Sequence, residues 1–559
     1  MSVDIDKQAA GGETITVPRW FGPAGRPLMG WLTERAGTRG TSGVLVLPPV
    51  GYPYWSSHRT LRTIAERLAA AGHTVLRIDY DGTGDSAGES SDADRVPAWR
   101  ESARLGAGEL RALGCERLTV LGARLGGTIA MLDGAALGAD AVVAWAPVTA
   151  GRRYAREIKL LSTPAPDGQE LDGVVSAGVV FGAETLAAIG RLSVTDIDAP
   201  PAARVVLVGA DEAAAEHLHG LGGQVEALEA PDGERALEMP AEYATVPDDV
   251  VNAVTGALGE AAGAPGTHAA APAAAMTWRG TDIEEEAVAL GPHELAGILA
   301  RPAEGLDPER PVLVFLNSGS EPHIGSGRVW VEYSRTLAAE GYACLRPDFS
   351  GWGESPDLGH APGRPYDSHC VQETVEIVES LHRRGHPNVV LAGLCAGAWI
   401  ALRAVLREPV AGVIALNPQL YWEPGHPVEA TMAETRDRRA PERAREERGC
   451  RLGLWSALDV AGHRSWAGRW LDELDSAGVP ILMLFAAGDD GIEYLRNRLR
   501  RRLGRVQRSG AIRVAEVPGI DHSMHRAWLR DRMVDAIRGE LQRIDQARGR
   551  RPVEEPALS

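Results

Sequence analysis

The sequence predicts an α/β protein with two tandem domains, each built on a mostly parallel β-sheet flanked by helices. Three observations support this prediction. The chain has 559 residues, which is more than a single domain usually contains. Short apolar runs alternate with helical stretches in both halves, a pattern typical of parallel sheets covered by helices. A long segment of the first half also recurs in the second half.

The repeat is clearest in two places. Residues 68–86 (LAAAGHTVLRIDYDGTGDS) recur as residues 337–355 (LAAEGYACLRPDFSGWGES), at an offset of 269 without a gap. A Gly-x-x-x-Gly pattern at residues 122–126 recurs at residues 393–397, at an offset of 271. The agreement of these offsets indicates a tandem duplication.

Each half begins with two predicted strands, at residues 15–20 and 28–33 and again at residues 283–290 and 296–301. A stretch rich in Ala, Gly and Pro separates the halves and is typical of a linker. We therefore expect a first domain at residues 1–260, a linker at 261–275, a second domain at 276–545, and a disordered tail at 546–559.

The most informative motif is Gly393-Leu-Cys395-Ala-Gly397, which directly follows an apolar run. It has the form of a nucleophile elbow, a sharp turn from strand to helix, with cysteine at the position of the usual serine. The glycines allow close backbone packing, and the N-terminus of the following helix favours the thiolate. Cys395 is therefore the candidate nucleophile of a covalent acyl-transfer site.

An acid and a histidine follow the elbow in the order that this turn predicts. Asp489 lies in a turn after the apolar run 480–485, and Asp490 is the alternative acid. His522 lies in a loop after the run 513–517, and His525 is a weaker candidate base. We predict that His522 exchanges a proton with Cys395 and that Asp489 orients its ring. The backbone N–H groups of Ala396 and of the loop around Ser320 are the predicted oxyanion hole.

These features resemble the α/β-hydrolase superfamily, and the resemblance covers both halves. The nearest similarity is to serine-aminopeptidase-like hydrolases, including those that accompany exosortase systems and natural-product clusters. That group's loop pattern is present as Asn317-Ser-Gly319, followed by His323 and Arg328. In its use of cysteine as the nucleophile, the second half is similar to dienelactone hydrolases and polyhydroxyalkanoate synthases. The resemblance implies catalysis at the carboxyl ends of the strands, without a metal or cofactor.

The first half departs from this pattern. Arg124 occupies the elbow position and cannot act as a nucleophile, because arginine stays protonated. Asp211 lies in an acid-like turn, but residues 234–246 contain no histidine. We expect a pseudo-hydrolase domain with a scaffolding role. Arg124 either pairs with Asp211 or another acid, or binds an anion such as a carboxylate or phosphate.

Residues 421–477 are expected to form a cap over the second site. This insertion contains four tryptophans that either line an acyl pocket or anchor the cap on the core, namely Trp422, Trp455, Trp466 and Trp470. Its arginine run at residues 436–451 alternates with glutamates, so a solvated helix is the simpler interpretation. A dock for an acidic carrier protein or for coenzyme A is the alternative. His323, Arg328 and Trp422 are candidate substrate contacts.

Composition argues against several other classes of protein. The formal net charge of −18 argues against nucleic-acid binding. The N-terminus lacks the features of a signal peptide, and no apolar run reaches membrane-spanning length. Five irregularly spaced cysteines predict a reducing cytoplasm without a disulfide framework or metal site. A homodimer is left open.

Three functions are consistent with these observations. The first is a hydrolase that forms an acyl-cysteine from an ester, thioester or lactone and releases it to water. The second is an acyltransferase that passes the same acyl group to an amine or alcohol, because amines attack thioesters well. The third is an inactive scaffold or binding protein. The acyl donor is expected to be a small molecule or a carrier-bound group.

Overall fold

The computed structural model describes residues 14–164, 172–209, 212–240, 243–261, 277–360, 364–422 and 466–547. The chain forms two compact units, Met1–Gly280 and Thr281–Ser559. The predicted linker lies almost entirely outside the described residues, as do the tail from residue 548 and most of the predicted cap.

The first unit contains an eight-stranded sheet with the order β1-β2-β4-β3-β5-β6-β9-β10. Its strands are β1 Thr14–Phe21, β2 Leu28–Arg35, β3 Ser42–Leu47, β4 Thr74–Ile78, β5 Arg117–Ala123, β6 Ala141–Trp145, β9 Arg204–Val208 and β10 Gln224–Leu228, and a separate hairpin is formed by β7 Val174–Ser176 and β8 Val179–Phe181. Its helices are α1 Pro53–Ala70, α2 Arg95–Ala112, α3 Leu125–Leu137, α4 Gly151–Leu160, α5 Ala183–Gly190, α6 Glu212–Gly220, α7 Gly233–Glu238 and α8 Asp248–Leu258.

The nine-stranded sheet repeats this order from β12 onward, with one short strand added at the edge, as β11-β12-β13-β15-β14-β16-β17-β18-β19. The short strand β11 Thr277–Arg279 ends just before the boundary between the units, and the strands of the second unit are β12 Ile283–Leu290, β13 Leu295–Pro302, β14 Val312–Leu316, β15 Ala343–Pro347, β16 Val389–Leu394, β17 Gly412–Leu416, β18 Ile481–Ala486 and β19 Ile512–Val517. Its helices are α9 Val329–Ala339, α10 Ser368–Arg383, α11 Ala396–Ala404, α12 Trp466–Ala477, α13 Asp490–Arg498, α14 Arg500–Ser509 and α15 Arg530–Ala547.

Both sheets are mostly parallel, which confirms the predicted fold class. In the second unit, β13 pairs antiparallel with both β12 and β15. All the pairs among β14 to β19 are parallel. Successive side chains of a strand point to opposite faces. Along β14, Val312, Val314 and Leu316 join one apolar cluster, and Leu313 and Phe315 join another. Apolar side chains therefore cover the sheet on both faces.

The repeated Asp-x-x-Gly-x-Gly-x-Ser segment makes the same hydrogen bonds in both units. Ser86 Oγ donates to the Asp79 carbonyl at 2.7 Å, and Ser355 Oγ donates to the Asp348 carbonyl at 2.7 Å. Each serine also accepts a hydrogen bond from a backbone N–H of the second strand, from Met29 or Ala296. These serines therefore join the turn after β4 to β2 in the first unit and the turn after β15 to β13 in the second unit. This role is structural.

Candidate active site

The elbow has the strained geometry that its sequence predicts. Cys395 lies between the end of β16 and the start of α11, with φ 53° and ψ −108°. A Cβ atom on Gly393 would lie 2.3 Å from the carbonyl carbon of Gly397, so only glycine allows this approach. Holding a non-glycine residue at such a φ costs about 1–3 kcal/mol and is typical of functional sites.

Asp489, and not the alternative Asp490, is the acid that contacts the histidine. His522 Nδ1 donates to Asp489 Oδ2 at 2.5 Å. Asp489 Oδ1 accepts a hydrogen bond from the Gly491 N–H at 2.8 Å, which makes Asp489 the N-cap of α13. Asp490 is the first residue of that helix. The cap therefore fixes one oxygen and directs the other at the imidazole.

Besides Asp489, Cys395 influences His522, because its charge acts on the imidazole. Burial lowers the pKa of His522, but the charge of Cys395 and the hydrogen bond with Asp489 outweigh this and raise the pKa well above its usual value. Because Nδ1 contacts Asp489, Nε2 is the nitrogen available to Cys395. The surroundings therefore favour the protonated imidazole of His522.

Asn417 joins the loop that carries His522 to the end of β18. No motif in the sequence pointed to this residue. Its side chain is fully buried, and its φ is 48°. Asn417 Nδ2 donates to the His522 carbonyl at 2.8 Å, and Oδ1 accepts from the Ala486 N–H at 2.7 Å. One amide thus connects the ends of β17 and β18 to the loop that follows β19. The only signal in the sequence was its position directly after an apolar strand.

Tyr366 is a second residue that the sequence did not indicate. Its hydroxyl lies 3.6 Å from Cys395 Sγ, and it donates to Gln419 Oε1 at 3.1 Å. Trp422 Nε1 donates to the same Gln419 oxygen at 2.6 Å. Tyr366 precedes α10 and Gln419 follows β17, so no local motif could connect them to the nucleophile.

The predicted oxyanion-hole segments lie side by side. Ala396 is the first residue of α11, and the first N–H groups of a helix have no partner within it. A Cβ atom on Gly397 would lie 2.6 Å from the Leu316 carbonyl oxygen, so the loop after β14 starts against this helix. Ser320 is in that loop, and its hydroxyl is buried without a hydrogen-bond partner among the described residues.

His323 and Arg328 are almost fully buried, at 3% and 5% exposure. His323 Nδ1 donates to Asp348 Oδ2 at 2.6 Å, and its backbone N–H donates to Asp348 Oδ1 at 2.7 Å. Arg328 has φ 72° and is the N-cap of α9. Both residues thus shape the loop that carries Ser320, and their contact with substrate stays a prediction.

The described parts of the predicted cap are residues 421–422 and helix α12. Trp422 and Trp470 are 2% and 1% exposed and belong to the apolar core. The Trp422 carbonyl accepts hydrogen bonds from Trp399 Nε1 at 3.0 Å and Trp466 Nε1 at 3.2 Å. Trp422 therefore anchors the start of the insertion and reaches the site through Gln419. Trp455 and the arginine run lie outside the described residues.

His525 faces a different group from His522. Its Nε2 lies 2.9 Å from Ser326 Oγ. Burial lowers the pKa of His525, and Arg530 and His522 lower it further against the opposing effect of Asp521. A neutral His525 that binds a serine is a structural contact in the loop that carries His522.

The first unit retains the backbone of the elbow at Arg124. Arg124 has φ 49° and ψ −119°, close to the values at Cys395. Its guanidinium lies 3.3 Å from Glu157 Oε1 and 5.5 Å from the centre of the Tyr154 ring. The predicted partner Asp211 lies outside the described residues. Arg124 thus pairs with an acid from α4, the simpler of its two predicted roles.

Two further observations concern metal sites and membrane-spanning helices. Among the described residues, no cluster of three or more His, Cys, Asp or Glu side chains is arranged to hold a metal ion. Over the same residues, no helix is both long and apolar enough to cross a membrane.

A family model matches most of the second unit. The model of the Alpha/beta hydrolase family matches residues 313–551. This match supports the family resemblance that the elbow and the order of the triad predicted. A comparison with curated protein sequences gave no match.

Three similar solved structures each match less than half of this chain. Proline iminopeptidase from Mycobacterium smegmatis is 17% identical with a TM-score of 0.31, and the match covers 47% of this chain and 99% of that one. Est1E from Butyrivibrio proteoclasticus, solved with ferulic acid, is 16% identical with a TM-score of 0.33, covering 43% and 97%. The thioesterase domain from the curacin biosynthetic pathway is 16% identical with a TM-score of 0.29, covering 46% and 99%.

Proposed function

We propose that the second unit is an acyl-cysteine-forming hydrolase that cleaves an ester, thioester or lactone. The observation that carries this proposal is the hydrogen bond between His522 and the buried carboxylate of Asp489, with the imidazole under the electrostatic influence of Cys395 on a strained elbow. A structural cysteine needs neither the elbow nor a histidine held by a buried carboxylate.

Acylation follows from these contacts. The Cys395 thiolate attacks the substrate carbonyl carbon, and the negative charge moves to the carbonyl oxygen. The N–H of Ala396 and an N–H of the Ser320 loop would bind this oxygen. When the carbon–heteroatom bond breaks, His522 Nε2 donates its proton to the departing alkoxide or thiolate. The acyl group then remains on sulfur as a thioester.

Deacylation reverses the role of the histidine. Neutral His522 takes a proton from water as the water oxygen attacks the thioester carbon. The carbon–sulfur bond then breaks, and its electron pair returns to Cys395 as thiolate beside the imidazolium. Asp489 keeps the ring oriented through both steps without changing its own protonation.

Transfer to an amine or alcohol is the second candidate, and the cysteine itself favours it. An acyl-cysteine is a thioester, which amines attack more readily than they attack the ester that a serine would form. The acyl donor in either case is a small-molecule or carrier-bound group, and the first unit acts as a non-catalytic scaffold.

Product partition tests the proposal and separates the two candidates. Wild type and Cys395→Ala would each be incubated with an N-acetylcysteamine thioester, alone and with a panel of amines. Free acid formed by wild type but not by Cys395→Ala is the expected result. Amide as the main product would replace the hydrolase by an acyltransferase. No turnover of any donor would leave the scaffold as the remaining function.

A further inference from the structure

We propose that Tyr366 is a further catalytic residue, whose hydroxyl hydrogen-bonds the Cys395 sulfur when that sulfur is negatively charged. The inference rests on the proposed acyl-cysteine function and adds a group that stabilises the thiolate. It starts from two distances: Tyr366 Oη lies 3.6 Å from Cys395 Sγ and 3.1 Å from Gln419 Oε1.

A tyrosine hydroxyl has one hydrogen, so it can be given to only one of these acceptors at a time. A thiolate is a strong acceptor because it is charged, whereas the sulfur of a thioester is a weak one. The hydrogen is therefore expected on sulfur in the thiolate state and on Gln419 in the acylated state. The interaction then strengthens as the carbon–sulfur bond breaks during deacylation.

The surroundings hold Tyr366 ready for this exchange. Tyr366 is only 3% exposed, and its ring packs edge-on against Trp399 with the ring centres 5.6 Å apart. Gln419 Oε1 also accepts the Trp422 Nε1 hydrogen at 2.6 Å, so this oxygen is fixed in place. Because Trp422 already satisfies this acceptor, Gln419 can release the tyrosine hydrogen without being left unpaired.

The hydroxyl adds no covalent step. In deacylation the nucleophile bonds to the acyl carbon, its proton passes to His522, and the electron pair of the carbon–sulfur bond returns to Cys395. Tyr366 keeps its own proton and only moves the hydrogen bond from Gln419 to sulfur. This lowers the barrier because the donor meets charge that develops in the transition state.

Tyr366→Phe is the direct test, because it removes the hydroxyl and keeps the ring packing. The first readout is the rate of iodoacetamide labelling of Cys395 against pH, located by peptide mass. We expect the profile of Tyr366→Phe to move up by about one pH unit, as a lost hydrogen bond to a charged group predicts. Gln419→Leu removes the competing acceptor at 3.1 Å, so its profile should move the opposite way.

The second readout is the decay of the acyl adduct after a pulse of 4-nitrophenyl acetate. Decay in Tyr366→Phe should be about tenfold slower than in wild type. Tyr333→Phe is the matched control, because Tyr333 is 2% exposed and its hydroxyl donates to the Arg530 carbonyl at 3.1 Å. This control should behave as wild type in both readouts.

The two readouts separate this inference from the proposed function. An adduct that forms on wild type but decays equally fast in Tyr366→Phe, with an unchanged labelling profile, would overturn the role of Tyr366 alone. No adduct on wild type would overturn the proposed function, and the labelling profile, which needs no substrate, would still decide whether Tyr366 contacts the thiolate.

Discussion

The side-chain amide of Asn417 donates to the backbone carbonyl of His522 at 2.8 Å, so a buried residue after β17 holds the loop that carries His522. The repeat offset of 271 places Ala146 of the first unit at the same position as Asn417, as it places Arg124 at Cys395. Ala146 keeps the unusual backbone, with φ 42°, but has no amide. The first unit, which has no histidine in residues 234–246, thus also lacks the amide that would hold a histidine loop.

Asn417→Ala should reduce turnover strongly while the unit still folds. The substitution leaves the His522 carbonyl and the Ala486 N–H without their partner, at a cost of about 1–3 kcal/mol each if no water replaces it. We expect a lower kcat with a smaller change in KM, because the ring that exchanges the proton loses its position. Stopped-flow turnover and thermal unfolding would measure the two effects.

Asn417→Asp is the matched variant, since it keeps an acceptor for Ala486 but loses the donor to His522. Activity in this variant should fall like that of Asn417→Ala, and stability should fall at least as much, because the new carboxylate is fully buried. Wild-type kcat in both variants would show that the amide has no part in positioning His522.

His522 should remain protonated at neutral pH, because Cys395 and Asp489 raise its pKa despite burial. Asp489→Asn keeps an oxygen for the Gly491 N–H and removes the charge, so the pKa of His522 should fall. Cys395→Ala should lower it more, because the charge of Cys395 is the larger of the two raising effects. Ring-proton NMR titration of the three proteins would measure this order, and equal titration curves would contradict it.

The same shift predicts how stability depends on pH. A histidine whose pKa is raised by folding stabilises the native state fully below its unfolded pKa, which is about 6.5. This contribution is lost as the pH rises through the higher folded value. The difference in unfolding temperature between wild type and His522→Gln should therefore be largest below about pH 6.5 and shrink in alkaline buffer. A difference that grows with pH would be inconsistent with the imidazolium.

Cys395→Ser should separate hydrolysis from transfer. The serine hydroxyl retains His522 and Asp489 as partners, so an activated ester should still acylate the enzyme. The ester intermediate reacts less readily with amines than a thioester, so amide formation should fall more than acid formation. Measurement of both products with one amine acceptor gives the ratio. An unchanged ratio in Cys395→Ser would mean that sulfur is not the reason for transfer.

Arg124→Cys should not create a second active site. The first unit has the elbow backbone at Arg124, but no histidine in residues 234–246 and no amide at Ala146. In a Cys395→Ala background, the new cysteine should form no more acyl adduct than a surface thiol. The lost contacts with Glu157 and Tyr154 should reduce stability by roughly 0.5–1 kcal/mol, because Glu157 is partly exposed. Substantial turnover would mean that another base serves this unit.

The sequence predicted the fold, and it named Cys395, Asp489 and His522, whose catalytic roles stay a prediction. Each residue lies at or after the carboxyl end of an apolar strand, and the ends of parallel strands meet at one edge of the sheet, so order along the chain implied proximity. Tyr366 and Gln419 could not be predicted in this way. They lie in loops whose contact depends on how α10 and the segment after β17 pack, and neither belongs to a motif.

The partner of Arg124 shows a similar limit. A buried guanidinium requires an acid, which the sequence predicted as Asp211 or another residue. Glu157 provides it from α4, a helix after β6 that no motif connects to the elbow. The sequence could predict that Arg124 needs an acidic partner. It could not predict which residue, because that depends on how α4 packs.

The most direct test of the central claim is the intact mass of wild type, Cys395→Ala and His522→Ala after exposure to activated esters and thioesters. We predict one acyl group on wild type, located on Cys395 by peptide mapping, none on Cys395→Ala, and much slower formation on His522→Ala. Adducts spread over several cysteines, or equal amounts on Cys395→Ala, would contradict the claim that Cys395 is the nucleophile.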